Sequence, residues 1–232
     1  MLTKDQILHA LSVTETASAE AVLSAPRDRN TAVKLSVGAG QRAEKTFLPL
    51  FQRVACKAGC AFCCYGVQVH VTAPEVLTLA RGFRETLPSA AVAIVLERVK
   101  RHADTIRGMS LAERLRARTP CPLLDETSNY CSVHQARPMR CRAHHSLDVA
   151  DCEAAAFHPD ESRSITRDPD VIDGHEAMIS GQESALVAAG LDARSFELSL
   201  ALEVALTHED AAERWARGER LFDAADFFWR AL

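Results

Sequence analysis

Aromatic residues are scarce in this chain. Two Trp, two Tyr and nine Phe make up 6% of 232 residues, and Ala, Leu, Glu and Arg are plentiful instead, a composition that leans helical. There is no excess of positive charge: 27 basic residues face 31 acidic ones, net −4, which excludes a dominant electrostatic attraction to DNA, RNA or anionic lipid. Nor is there a long hydrophobic run. The longest, Ala90 to Leu96, has seven residues, whereas a membrane span needs about twenty. Behind Lys4 and Asp5 no apolar segment follows, so no signal peptide is read and a cytoplasmic location is expected. With 47% hydrophobic and 25% charged residues the chain is not of a disordered type. Its length suits one large domain or two small ones at roughly 150 residues per domain.

Cysteine, by contrast, is abundant and unevenly placed. Cys56, Cys60, Cys63, Cys64, Cys121, Cys131, Cys141 and Cys152 all fall within 97 residues, four of them in CKAGCAFCC. Structural disulfides need an oxidising compartment, and adjacent Cys63 and Cys64 would each need a separate partner. Core burial of thiols does not produce a C-x3-C-x2-C-C array. Chelation of a soft metal does: thiolates must converge at about 2.3 Å, and short spacings bring them together at small loop-closure cost.

Along the chain, Thr3 and Gln6 open a helix over 3–24, and apolar positions three or four apart mark a second over 31–54, weakened by Gly38, Gly40 and Pro49. Val67, Val69 and Val71 alternate with Gln68 and His70 as a short strand. Thr72 and Glu75 cap a third helix, a clean amphipathic pattern runs from Ser89 to Arg107 with Gly108 as its stop, and Ser110 and Glu113 open a short one. CPLL and YCSVH flank the polar turn DETSN as a small hairpin, after which helix returns at 148–157. The stretch 159–168 reads as loop. From Pro169 the chain reads as helical, with breaks at Gly190 and Gly218; residues 196–206 also alternate like a strand, but their Ala, Leu and Glu content favours helix.

Several motifs compete for the chemistry. The spacing of Cys56, Cys60 and Cys63, with Phe62 before the third, is that of radical S-adenosylmethionine enzymes, but strand signals are few and glycines only ten, too little for a partial βα barrel. Gly38, Gly40 and Ala43 spell G-x-G-x-x-A without the strand a dinucleotide site needs. His175-Glu176 and His208-Glu209 begin H-E-x-x-H, but no second His follows at the required spacing. The segment CSVHQARPMRCR is more telling. A Cys-Cys pair closing a tight group, then Cys121, then Cys131 with Val133 and His134, then Arg137-Pro138, Cys141-Arg142 and finally Cys152, resembles the YkgJ-type cysteine-cluster (CxxCxxCC) family of zinc- or iron-chelating domains. The likeness covers about 56–157. It departs from the family in a first gap of three residues and in a helical insert of about 50. A flagellin lysine methylase is similar in its cysteine cluster.

The resemblance implies a metal-binding protein chelating zinc or iron, an iron–sulfur cluster included, through all eight cysteines. Two alternatives stand beside it: an iron–sulfur enzyme modifying a protein or small molecule, for example by S-adenosylmethionine-dependent methyl transfer, and a thiol-based redox or metal sensor. Metal ions are the expected partners, with no nucleic acid and no membrane. Arg137, Arg140 and Arg142 would offset thiolate charge, and His134, His144 and His145 lie near enough in sequence to replace a thiolate. Adjacent Cys63 and Cys64 are expected to point apart and to serve different metals, unless one bridges or stays free. The expected fold is mainly α: N-terminal helices over 1–55, a small irregular cysteine module with a short β-hairpin over 56–157 (helical insert 73–118), and helices over 158–232, packed as one unit.

Overall fold

A computed structural model describes residues 2–158 and 164–225. Of the stretch read as loop, 159–163 lies outside the described residues, and 164–168 is neither helix nor strand. The architecture is mainly α. Helices α1 (Lys4–Leu23) and α2 (Thr31–Phe51) precede the cysteine array. A three-residue strand β1 (His70–Thr72) leads into α3 (Ala73–Thr86), followed by α4 (Ser89–Ile106) and α5 (Leu111–Ala117). The hairpin strands β2 (Leu124–Asp125) and β3 (Tyr130–Cys131) come next, then α6 (Met139–Ala143), α7 (Val149–Phe157) and α8 (Pro169–Ala188). The chain continues through β4 (Ser195–Glu197), α9 (Leu198–Thr207) and α10 (Ala211–Ala216).

Local sequence accounts for most boundaries. The three S/T-x-x-E/Q signatures read as helix starts form reciprocal capping boxes, at Thr3–Gln6, Thr72–Glu75 and Ser110–Glu113. Gly108, Gly190 and Gly218 end their helices at φ of +82°, +69° and +93°, a region open to glycine at no steric cost. Gly38 and Gly40 lie inside α2, which leaves no phosphate-binding turn there.

The strand readings shift. Val67 and Val69 precede β1 rather than forming it, because its partner β4 offers only three residues: His70 pairs with Glu197, Val71 with Phe196 and Thr72 with Ser195, antiparallel. The alternation that begins at Phe196 stops at Glu197, whose carboxylate caps α9 by accepting from the backbone N–H groups of Ser199 (2.7 Å) and Leu200 (2.9 Å). Each strand thus feeds directly into a helix, and α3, α9 and α4 pack around Val71, Val76, Leu202, Phe196 and Trp215, all at most 1% exposed. Each such large apolar side chain contributes about 1.5–3 kcal/mol through burial.

Helices α1 and α8 cross at contact distance. A Cβ on Gly181 would lie 2.3 Å from the Ser12 carbonyl oxygen, and Thr16 Oγ1 donates to the Gly181 carbonyl at 3.0 Å. Glu15, 1% exposed, accepts a bidentate pair from Arg42 (Nε 2.7 Å, Nη2 2.6 Å), tying α1 to α2.

A second, smaller core contains Ala43, Phe47, Met139, Met178 and Ile179. His175, fully buried, stacks on Phe47 at 4.3 Å between centroids. Its Nδ1 lies 2.7 Å from the Val171 carbonyl oxygen and donates to it, while Nε2 has no partner among the described residues. Burial pushes its pKa from 6.5 down to about 4. The folded state therefore binds this proton less readily than the unfolded chain. The stability it confers is complete above pH 6.5 and is lost as pH falls towards 4, by about 3 kcal/mol. Denaturant melts of wild type and His175→Phe across this window should diverge by one proton's slope, the wild type falling more steeply; parallel curves would refute the assignment.

Candidate metal centre

The cysteine array begins in the loop after α2. Phe62–Cys64 forms a single 3-10 turn, and the following residues lie antiparallel to the end of the helical insert. The Cys121 N–H donates to the Cys64 carbonyl at 2.7 Å, Tyr65 bridges to Pro120, and the Gly66 N–H donates to the Thr119 carbonyl at 3.2 Å. Gly66 has φ of +96°, and a Cβ there would meet the Arg114 carbonyl oxygen at 2.9 Å, so the close approach requires glycine. The insert α3–α5 is thereby looped out, and the two cysteine groups become neighbours.

Cys131 sits on β3, its residue paired with Leu124. Cys141 lies on α6. The five residues of α6 are too few to hold themselves helical, and Glu75 supplies the anchor. Its Oε2 accepts from Thr72 N–H (2.8 Å) at the start of α3, and its Oε1 from Met139 N–H (2.7 Å) at the start of α6. One buried carboxylate caps two helices. Sequence reasoning found the first of these roles through the capping box and missed the second. Cys152 lies on α7, no residue of which is buried.

Six of the cysteines, Cys60, Cys63, Cys64, Cys121, Cys131 and Cys141, line one cavity of about 80 Å³. Val67, Val69, Leu123, Leu124, Val133 and Leu198 complete an apolar wall, and no carboxylate faces it. The other two meet at Ser146, also missed from sequence. Its N–H donates to Cys56 Sγ at 3.3 Å, and its hydroxyl, which donates to the Asp148 carbonyl at 2.6 Å, lies near enough to Cys152 to favour the thiolate there. All eight are free, half-buried thiols. Among the described residues no three His, Cys, Asp or Glu side chains are grouped so that they could hold a metal ion.

Burial and crowding among the thiols dominate the electrostatics. Burial and the neighbouring thiols push Cys121 up to about 12, and Cys141 well above its ordinary value. Cys63 is raised further by a hydrogen bond with the Cys64 side chain, then by burial. The two residues share a single tight 3-10 turn, which places their side chains within reach of each other. Opposing these upward shifts, Cys121 accepts from the Leu123 N–H and Cys131 from the Val133 N–H, each two residues on, and Arg137 favours the thiolates of Cys56, Cys63, Cys131 and Cys141. Soft donors, amide N–H groups aimed at sulfur and a carboxylate-free wall fit a thiophilic cation such as zinc or iron.

The remaining candidates divide. Of the three arginines Arg137 reaches the most thiolates: Arg140 is held by Glu176 (2.9 and 2.8 Å) and Ser195 (2.7 Å), while Arg142 binds the carbonyls of Arg137 and Gln135 and lies within electrostatic reach of Cys141. His145 is fully used, its Nδ1 at the Ala143 carbonyl (2.8 Å) and its Nε2 accepting from Asp168 N–H (2.8 Å). His134 and His144 both line the cavity. His134 leans on Tyr130 at 5.8 Å, and His144 Nε2 is buried without a partner among the described residues. Asp125 accepts from Thr127 N–H (3.0 Å) and Ser128 Oγ (2.7 Å), a turn role.

No helix among the described residues is long and apolar enough to cross a membrane. No curated protein and no solved structure matches the chain. A family model does match, over residues 55–159, and its limits enclose all eight cysteines. That stretch of the chain is similar to the CxxCxxCC model, described as "Putative zinc- or iron-chelating domain".

Proposed function

We propose that this protein chelates zinc or iron through the thiolates of Cys56, Cys60, Cys63, Cys64, Cys121, Cys131, Cys141 and Cys152. The observation that carries this reading is the cavity of about 80 Å³ walled by six of them with no carboxylate. A bound cation removes the penalty of gathering thiolates there, because it stabilises each deprotonated sulfur. The chain's own residues supply the rest. Ser146, Leu123 and Val133 donate N–H groups to sulfur. Arg137 balances negative charge, and the apolar wall keeps competing water away. When bound, the metal supplies cross-links between segments remote in sequence; an all-thiolate zinc site is closed and structural.

The test is direct. The full chain is purified without oxygen, its metal is counted by elemental analysis, and its visible spectrum is recorded. Eight thiolates at four per ion predict about two metal ions per chain. Zinc without absorbance near 400 nm identifies a zinc protein. Iron with equal acid-labile sulfide and a broad band near 400 nm identifies a cluster. A chain that carries no metal and takes up none from added Zn²⁺ or Fe²⁺ overturns the proposal.

A further inference from the structure

Cys141 reaches the cavity from α6, and the start of α6 is held by residues from elsewhere in the chain. Pro138 stands just before Met139, the first helical residue. It offers no side-chain acceptor, so the opening amides of α6 have no local cap. Glu75 fills that place from α3. Its carboxylate is buried: Oε1 accepts from the Met139 N–H at 2.7 Å, and Oε2 from the Thr72 N–H at 2.8 Å and the Thr72 hydroxyl at 3.1 Å. The Met139 side chain shares the second core with Met178 and Ile179. Arg140 follows, forked onto Glu176 and Ser195, and Ser195 pairs with Thr72 across the β1–β4 ladder. The start of α3 and the two strands thus form one corner, and α6 is fixed against it immediately before Cys141. Pro138 and Cys141 both line the cavity, whereas Glu75 lies behind its wall.

Resting on the chelation reading, we infer that Glu75 is a positioning residue for the metal. It acts through the backbone: the carboxylate grips the main chain two residues before Cys141 and so sets where that sulfur enters the cavity. A helix of five residues cannot set this by itself. Arg140 grips through a long side chain with many rotamers, which leaves the backbone slack, whereas Glu75 holds the amide directly. Without Glu75 a bound metal must order the start of α6 itself, and the cost of that ordering is read as weaker binding. Groups just outside a metal's ligands change its affinity by about 10–100-fold. One hydrogen bond acting on one thiolate places Glu75 at the lower end, about tenfold.

Co²⁺ is the probe, because it replaces zinc and its sulfur-to-metal charge-transfer band grows with each thiolate bound. The full chain, kept without oxygen, is titrated with Co²⁺ against a competing chelator. Glu75→Leu removes both acceptor oxygens, and should weaken Co²⁺ binding about tenfold and lower the band per bound ion. In a Cys141→Ser background the same substitution should weaken binding by less than about twofold, because the sulfur that Glu75 places is gone. Thr72→Val loses the hydroxyl at the start of α3 but leaves the Met139 bond, and should bind Co²⁺ like wild type. Equal losses from Glu75→Leu in the two backgrounds, or an equal loss in Thr72→Val, would show general destabilisation and overturn the inference. Wild-type affinity in Glu75→Leu would overturn it too. If Cys141→Ser binds no Co²⁺, the band decides, and an unchanged band per bound ion in Glu75→Leu overturns the inference. If Glu75→Leu does not fold, Met139→Pro removes the same hydrogen bond from the donor side, at a helix position that suits proline, and should give the same result. Wild type that takes up no Co²⁺ refutes chelation itself, a separate result.

Discussion

Removing the metal from the full chain with a chelator should unlock residues 121–157 while leaving the helical core folded. Backbone amides of the hairpin, α6 and α7 should exchange with solvent about a thousandfold faster, equivalent to about 4 kcal/mol of lost local stability. The reason lies in how little else holds these segments. The hairpin has two paired positions on each strand, α6 has five residues, and α7 has nine with none buried. An isolated two-stranded hairpin is marginal in water, and helices of these lengths fall below the roughly 12–15 residues needed for independent stability. The hydrogen bonds that tie them to the rest of the fold, among them Cys121 to Cys64, Met139 to Glu75, Arg140 to Glu176 and Ser195, and Ser146 to Cys56, contribute about 1 kcal/mol each. Structural zinc sites contribute about 10–16 kcal/mol of binding energy to small folds at neutral pH. The main core, spread over α1–α4, β1, β4 and α8–α10, shares only Leu123 with residues 121–157 among its fully buried members and should keep its protection. Hydrogen exchange read by mass spectrometry, with and without chelator, separates the two regions. Unchanged exchange over 121–157 would mean that protein contacts alone hold the module.

The contrast between core and module also explains what could be read from sequence. Helices of the core carry their own signals, a 3.6-residue apolar period and caps such as Thr72–Glu75, because their burial pattern is local. The eight cysteines were legible for a different reason: clustered soft donors have few other uses. Illegible were contacts made by single polar residues far apart in sequence. Ser146 looks like any loop serine until its amide is seen on Cys56. Glu75 announces one cap and performs two. The Cys63–Cys64 contact depends on a 3-10 turn of three residues, for which the sequence carries no periodic signal. The pairing of β1 with β4 joins His70 to Glu197 across most of the chain, so neither strand's length could be set from its own residues.

Glu197→Ala should lower the unfolding free energy by about 4 kcal/mol. Glu197 is 4% exposed and does two jobs with two oxygens. Oε2 accepts from Ser199 and Leu200 N–H groups to cap α9, and Oε1 lies 3.3 Å from Arg114 Nη1, itself on a residue 3% exposed. Burial pushes the Glu197 carboxyl pKa up, and the two amides and the guanidinium pull it back down. Truncation removes all three compensations together. Two amides at the start of α9 lose their acceptor, about 1 kcal/mol, and a buried guanidinium loses its carboxylate, about 3–5 kcal/mol. At about 2–4 °C per kcal/mol for a chain of this size, the melting temperature should fall by about 8–16 °C. A double-mutant cycle isolates the ion pair from the cap. Glu197→Gln keeps an oxygen for the amides but not the charge, and Arg114→Met removes the cation while filling its volume. The double variant should be more stable than the sum of its singles by at least about 2 kcal/mol, because the charge-to-charge attraction that each single variant removes is lost only once. Additive singles would mean that Arg114 does not depend on Glu197. The damage from Glu197→Ala would then lie in the cap of α9 alone, and its cost should fall to about 1 kcal/mol.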